Sequence, residues 1–278
     1  MARLLGMIGN RPDLAGRVLA FESASLRARS SGEALGWGIG FYQGGEVLMK
    51  RRPTDDRQEI DIASLAADVR ADLVIGHVRQ APAGALQAEN THPYRYRQWL
   101  FAQAGAVAHF DRVRDSLVAS VPEFLRGGIR GDADAEVLFY VFLSFLHDAG
   151  RLGAGRVEPS LIGEALRSCL AVVDGVAAEA GVAPAQLNIL VSDGEWLVAM
   201  HRSDAPMRLR VLSGRADADT ILGEDPQLRR KIPELGRMHF TLVASDFDAA
   251  PPDGRWKPVS DCAVVTMSRD DDPRLEAA

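Results

Sequence analysis

The sequence lacks the features typical of a membrane protein, a nucleic-acid-binding protein or a metalloprotein. It contains no apolar run long enough to cross a bilayer. Its six histidines show no paired spacing of the kind that ligates a metal. The formal net charge is −6 and the pI is near 5.6, so the composition does not indicate a basic surface that binds nucleic acid. We therefore expect no metal or other cofactor, no nucleic-acid partner and no membrane partner.

Cysteine is also scarce, since Cys169 and Cys262 are the only two. Cys169 follows a helical pattern and Cys262 precedes an apolar run, so we expect both to be small buried residues in a reducing compartment. A disulfide between them stays open at this point. The polar stretch Asn10-Arg11-Pro12-Asp13 interrupts the first apolar run, which argues against a signal peptide. We expect a cytoplasmic protein.

What is present supports a sizeable core. The 278 residues are 47% hydrophobic and 25% charged, enough for one large globular domain, or at most two. The patterns favour one domain over residues 1–270, followed by a charged, disordered tail at 271–278. Strands are predicted at 4–8, 36–42, 46–50, 73–75, 99–102, 187–191, 196–201, 207–212, 240–244 and 262–267. Helices are predicted at 14–26, 60–72, 110–125, 134–147 and 162–180, and 215–237 is not assigned. This order suits a sheet-on-sheet core covered by helices on both faces.

The stretch from Val74 to Val107 carries the most informative polar residues. A buried-strand run, Leu73-Val74-Ile75, leads into His77 and Arg79, and a second run beginning at Trp99 stops at Gly105. Polar groups at the ends of neighbouring strands can surround a small molecule, because the sheet holds them rigidly. The alternative is that these residues form no site: Arg79 would be a surface arginine in a salt bridge, and Gly105 an ordinary turn glycine.

These residues resemble a known family. His77-Val78-Arg79, then Asn90-Thr91-His92-Pro93, then an aromatic strand closing in Ala104-Gly105 resembles the core of class II glutamine amidotransferases, which are N-terminal-nucleophile hydrolases. Further matching motifs lie at 1–7, 36–42, 132–136, 187–200 and 243–245. The resemblance implies an α+β fold of the four-layer αββα sandwich type. It also implies a pocket in which an N-terminal cysteine attacks the side-chain amide of glutamine.

The departures from the family pattern fall on the groups that act on the amide. Ala2 stands where the family has its cysteine nucleophile, and Ala104 stands where the family has the oxyanion asparagine. Leu35 and Pro82 replace an aspartate and a threonine, whereas Gly105 is kept. Losing a covalent nucleophile costs on the order of a millionfold in turnover. Losing one oxyanion donor costs about a hundred- to a thousandfold.

Two groups that hold the substrate are kept. The resemblance implies that Arg79 binds the α-carboxylate of glutamine and Asp134 its α-amine, since an arginine fork suits a carboxylate and a carboxylate suits ammonium. Two alternatives to ligand binding stay open. Asp134 could stabilise the first turn of a helix, and Arg79 could form a structural ion pair. His77 and His92 are expected to be hydrogen-bonded structural groups, and Trp37 is expected to pack beneath the pocket.

Three functions follow from these residues. The first is an inactive homologue that binds a glutamine-like amino acid, a γ-glutamyl compound or a protein partner. The second is an active amidohydrolase, either with its nucleophile deliberately replaced by Ala2 or using activated water. The third is a purely structural subunit. The sequence leaves the oligomeric state open.

Overall fold

The structure is a computed structural model that describes residues 3–23, 36–53, 69–79, 87–223, 234–245 and 254–277. The strands are β1 Arg3–Gly9, β2 Gly36–Gln43, β3 Glu46–Pro53, β4 Leu73–Arg79, β5 Tyr94–Tyr96, β6 Trp99–Ala106, β7 Gln186–Ser192, β8 Leu197–Arg202, β9 Met207–Ser213, β10 His239–Ser245, β11 Lys257–Pro258, β12 Ala263–Met267 and β13 Arg274–Ala277. The helices are α1 Ala15–Phe21, α2 Phe110–Ser120, α3 Glu123–Arg126, α4 Asp134–Asp148, α5 Pro159–Glu179 and α6 Gly214–Leu222, with short 3₁₀ turns at Ala88–Asn90 and Leu235–Arg237.

The strands form two sheets in which neighbouring strands run antiparallel. The first sheet has the order β11-β9-β10-β1-β4-β2-β3, and the second has the order β13-β12-β8-β7-β6-β5. The N-terminal strand β1 lies inside its sheet, between β10 and β4. Because successive side chains of a strand point to opposite faces, each sheet can present one apolar face to the other sheet and one to helices.

Three apolar clusters fill the spaces between the layers. Leu4 and Leu190 belong to the cluster between the two sheets. Leu5 packs with α1 and α6 on the outer face of the first sheet. Phe101 stacks on Phe139 of α4, with ring centroids 5.3 Å apart, on the outer face of the second sheet. These layers confirm the predicted αββα sandwich.

Glycines in β2 let another segment approach the first sheet closely. A Cβ at Gly38 would lie 1.9 Å from the carbonyl oxygen of His92, and one at Gly40 would lie 2.9 Å from Pro93 Cγ. Residues with a side chain at these positions would therefore push the 91–93 segment away. Because the Gly-Trp-Gly-Ile-Gly run has glycine at alternate positions, the 91–93 segment can lie directly on β2, and His92 then lies against the neighbouring strand β4.

Several local predictions need correction. The helix predicted over 110–125 is interrupted at Val121, whose extended backbone precedes Pro122, so α2 and α3 are separate helices. Cys262 is exposed rather than buried, whereas Cys169 is buried, and both are free. The helix predicted at 134–147 begins at Asp134 as expected, with Ala133 at its N-cap position.

Other differences concern segments with weak patterns. Residues 274–277, assigned to a disordered tail by the sequence analysis, form β13 and pair with β12. The unassigned stretch 215–237 contains most of α6. The helix predicted at 60–72 falls mainly outside the described residues, and 69–72 are not helical. Within the described part of the chain, no helix combines the length and the apolar character that a membrane span requires.

Candidate functional site

The predicted site residues gather at one edge of the sandwich. Arg79 is the last residue of β4 and pairs with Gly36, the first residue of β2. Val78 pairs with Arg3, the first residue of β1. The start of β1, the end of β4 and the start of β2 therefore meet at this edge. Positions 2, 35 and 82 lie outside the described residues.

Arg79 is a buried cation with a carboxylate in its electrostatic environment. Its side chain is only 5% exposed. Burial lowers the pKa of Arg79 below its usual value, while the charge of Asp134 acts in the opposite direction. Asp134 therefore belongs to the electrostatic environment of Arg79.

Asp134 is fixed by three donors at the start of α4. Its Oδ2 accepts hydrogen bonds from the Val107 amide at 2.7 Å and from Gln103 Nε2 at 3.3 Å, and its Oδ1 accepts one from the Ala135 amide at 2.8 Å. Burial raises the pKa of Asp134, and these hydrogen bonds oppose the rise.

The loop before α4 is anchored in the same way. Glu136 Oε2 accepts from the Gly131 amide at 2.6 Å and from the Arg130 amide at 3.1 Å. Asn90 Oδ1 accepts from the Asp132 amide at 2.9 Å. These bonds satisfy backbone donors just before the helix and hold its first turn, including Asp134, against the segment that follows β4.

The Gln103-Ala104-Gly105 run lies at the end of β6. The Ala104 methyl is buried in the cluster between the sheets, so its side chain offers no hydrogen-bond donor there. Gly105 has φ +95°, and a Cβ there would lie 2.0 Å from the Gln186 carbonyl oxygen. Backbone conformation and this close approach together require glycine at 105.

His77 and His92 form a buried pair beside Arg79. Their Nδ1 atoms are 3.2 Å apart, and their rings meet edge-on with centroids 4.0 Å apart. Burial, with a smaller contribution from the charge of Arg79, lowers the pKa of His77 to about 3. Burial also holds the pKa of His92 well below its usual range. Both rings are therefore neutral, with one Nδ1 donating to the other.

Sequence reasoning missed a group of buried polar atoms around this pair. His92 Nε2, Tyr94 Oη and Gln103 Oε1 have no hydrogen-bond partner within the described part of the chain. Buried polar atoms are rarely left unpaired, so this interior can accommodate further hydrogen bonds. In the sequence, the only signal of this group was that these polar residues lie next to apolar strand runs.

Trp37 packs on the other side of the first sheet. It belongs to the outer cluster with α1 and α6 and is 7% exposed. The Lys50 ammonium lies 5.4 Å from its ring centroid. Its position supports the predicted packing role, because β2 separates it from the space between the sheets.

Comparison with known proteins identifies the family. The model of class II glutamine amidotransferases matches residues 1–220. The probable glutamine amidotransferase DUG3 of Saccharomyces cerevisiae is 24% identical over 255 residues, covering 84% of this chain and 69% of the yeast protein. The γ-glutamyl-hercynylcysteine sulfoxide hydrolase of Mycobacterium tuberculosis is 25% identical over 271 residues, covering 90% of this chain and all of that protein.

The fold agrees with a solved structure. The glutamine aminotransferase class-II domain protein of Silicibacter pomeroyi superposes with a TM-score of 0.61 at 18% identity, covering 99% of this chain and 98% of that one. At that identity the likeness shows the fold alone. The family model spans most of the chain, and the sandwich has the architecture its motifs predicted, so this protein belongs to the class II glutamine amidotransferase family.

Proposed function

We propose that this protein is a catalytically inactive class II glutamine amidotransferase homologue that binds the α-amino-acid head group of a glutamine-like ligand. The proposal of inactivity rests on Ala2 and Ala104. An N-terminal nucleophile needs a side-chain atom that attacks the amide and an α-amine that takes its proton. Ala2 can supply only the amine, and the Ala104 methyl cannot donate to an oxyanion.

The observation that carries the binding proposal is the retained pair Arg79 and Asp134. Both are at the same edge of the sandwich, and the charge of Asp134 acts on Arg79. An arginine fork suits a carboxylate, and a carboxylate suits an ammonium group. The zwitterionic head group of an amino acid supplies a carboxylate for Arg79 and an ammonium for Asp134.

The expected affinity is weak. A hydrogen bond to a charged group contributes about 1.5–3 kcal/mol net. Two such contacts must also offset the loss of translational and rotational freedom of a small ligand. A dissociation constant on the order of millimolar, or about −4 kcal/mol, is the expected result.

The test is ligand-observed NMR or calorimetry with glutamine, glutamate and a γ-glutamyl dipeptide. The dipeptide is included because the M. tuberculosis relative is named as a hydrolase of a γ-glutamyl compound. Arg79→Ala should abolish binding, and Arg79→Lys should recover little, because a lysine cannot form the bidentate fork. The matched control is Arg237→Ala, whose side chain is 85% exposed, and it should leave binding unchanged.

The same measurements separate the competing functions. If no probe binds at concentrations well above millimolar, or if Arg79→Ala binds as well as the unmodified protein, the pair is structural. The three hydrogen bonds of Asp134 would then account for its retention. Ammonia release from glutamine clearly above a boiled control would instead reveal an active enzyme with an unrecognised nucleophile.

A further inference from the structure

The outer edge of the second sheet is formed by a short exposed strand. β13, Arg274–Ala277, pairs with β12 on one side and ends the sheet on the other. All four of its residues are exposed. An edge strand presents unpaired N–H and C=O groups along its free side, which can pair with a strand of another chain.

The two faces of β13 differ in chemistry. Leu275 is the cross-strand partner of Val265, which belongs to the apolar cluster between the sheets. Directly opposite residues share a face, so Leu275 lies at the open end of that core, where it is 50% exposed. Glu276 is the partner of Val264 and lies on the helix-covered face, where Arg167 of α5 reaches it at 3.4 Å.

We propose that β13 is a homodimerisation strand that pairs antiparallel with β13 of a second copy about a twofold axis at Leu275. In this register Leu275 lies opposite Leu275 of the second copy and extends the apolar layer. Arg274 lies opposite Glu276 of the second copy, and Glu276 opposite its Arg274. A twofold interface is self-complementary, so both ion pairs form at once.

The charges single out this register. A shift of two residues in one direction places Arg274 against Arg274 of the second copy, and a shift in the other direction places Glu276 against Glu276. Like charges directly opposite each other destabilise a strand pair. A shift of one residue would place side chains of opposite faces against each other. The occupant that fits this edge is therefore a second copy of the same chain.

The test is sedimentation velocity on the full chain over a wide concentration range. A short strand pair buries little surface, so a dissociation constant on the order of 10–100 µM is expected. Arg274→Glu and Glu276→Arg each place like charges opposite one another, and each should weaken self-association about tenfold or more. Both positions are exposed, and circular dichroism checks that the fold is retained.

Mixing the two variants provides the decisive measurement. The Arg274→Glu variant has glutamate at 274 and 276, and the Glu276→Arg variant has arginine at both. The mixture should therefore dimerise more tightly than either variant does alone. Asp115→Arg is the matched control, because that side chain is 99% exposed and distant in sequence, and it should dimerise like the unmodified protein. A monomeric unmodified protein, single variants that still dimerise fully, or a mixture that stays monomeric would each overturn the proposal.

Discussion

The buried histidine pair predicts a loss of stability in mild acid. His77 is 1% exposed and shares a hydrogen bond with His92, so its imidazole is neutral in the folded protein. Burial and the charge of Arg79 lower its pKa from 6.5 to about 3. In the unfolded chain the same imidazole takes up a proton near its ordinary pKa of about 6.5.

The sign and size of the effect follow from proton linkage. Between pH 6.5 and about 3 the unfolded state binds more protons at His77 than the folded state does. Stability therefore falls as the pH falls through this range. Each pKa unit corresponds to about 1.36 kcal/mol, so His77 lowers the free energy of unfolding by about 2 kcal/mol at pH 5 and by about 5 kcal/mol near pH 3.

The assay is urea unfolding at pH 7.5 and pH 5.0, followed by tryptophan fluorescence. His77→Gln removes the titrating group but keeps a polar side chain beside His92, so its loss of stability between the two pH values should be about 2 kcal/mol smaller. Carboxylates titrate in both proteins and cancel in the comparison.

Two results would refute this reasoning. One is a His77→Gln variant whose stability falls with pH as steeply as that of the unmodified protein. The other is an NMR titration in which the His77 ring protonates near pH 6.5 while the protein stays folded. Either result would mean that the ring is solvated or paired with an anion in solution.

Four further substitutions test the site and the fold. Ala2→Cys alone should not reach an enzyme-like turnover of roughly 1–10³ per second, because Ala104 leaves the oxyanion without its amide, and an ammonia assay that finds such turnover contradicts this. In thermal melts, Gly105→Ala should lower the free energy of unfolding by more than about 2 kcal/mol. Gly175→Ala, at an open position within a helix, should raise it by up to about 1 kcal/mol. Glu22→Gln removes the negative charge of a 2.8 Å ion pair with the buried Arg210 and should lower the free energy of unfolding in urea by about 3–5 kcal/mol. A loss below about 1 kcal/mol would show that the pair is solvated.

Much of the sandwich could be predicted from the sequence because its elements carry strong local patterns. The apolar helix over 134–147 and the hairpin around Asp193-Gly194 match the observed elements closely. β13 was missed because Arg-Leu-Glu-Ala has too little apolar content, although its alternation suits an edge strand. Cys262 was misjudged because it precedes β12 with a positive φ of 52°, and this turn directs it outward.

The site was only partly accessible to sequence reasoning. Motifs place Arg79 and Asp134 at the edge of the sandwich, because each follows or precedes a recognisable element. Two donors to Asp134, Gln103 in β6 and Val107 just after it, are 31 and 27 positions away in sequence. The His77–His92 pair depends on the close approach to glycines of β2. Contacts of this kind arise from tertiary packing, and no local pattern encodes them.

The central position of β1 has a practical consequence for the choice of affinity tag. The chain enters β1 at Arg3, between β4 and β10, and Arg3 pairs with Val78, one residue from Arg79. A peptide fused before the N-terminus therefore emerges beside the proposed head-group site and would compete with a ligand. A C-terminal fusion instead extends from β13 and would disturb the proposed dimer edge. Ligand binding should be measured with a free N-terminus and self-association with a free C-terminus.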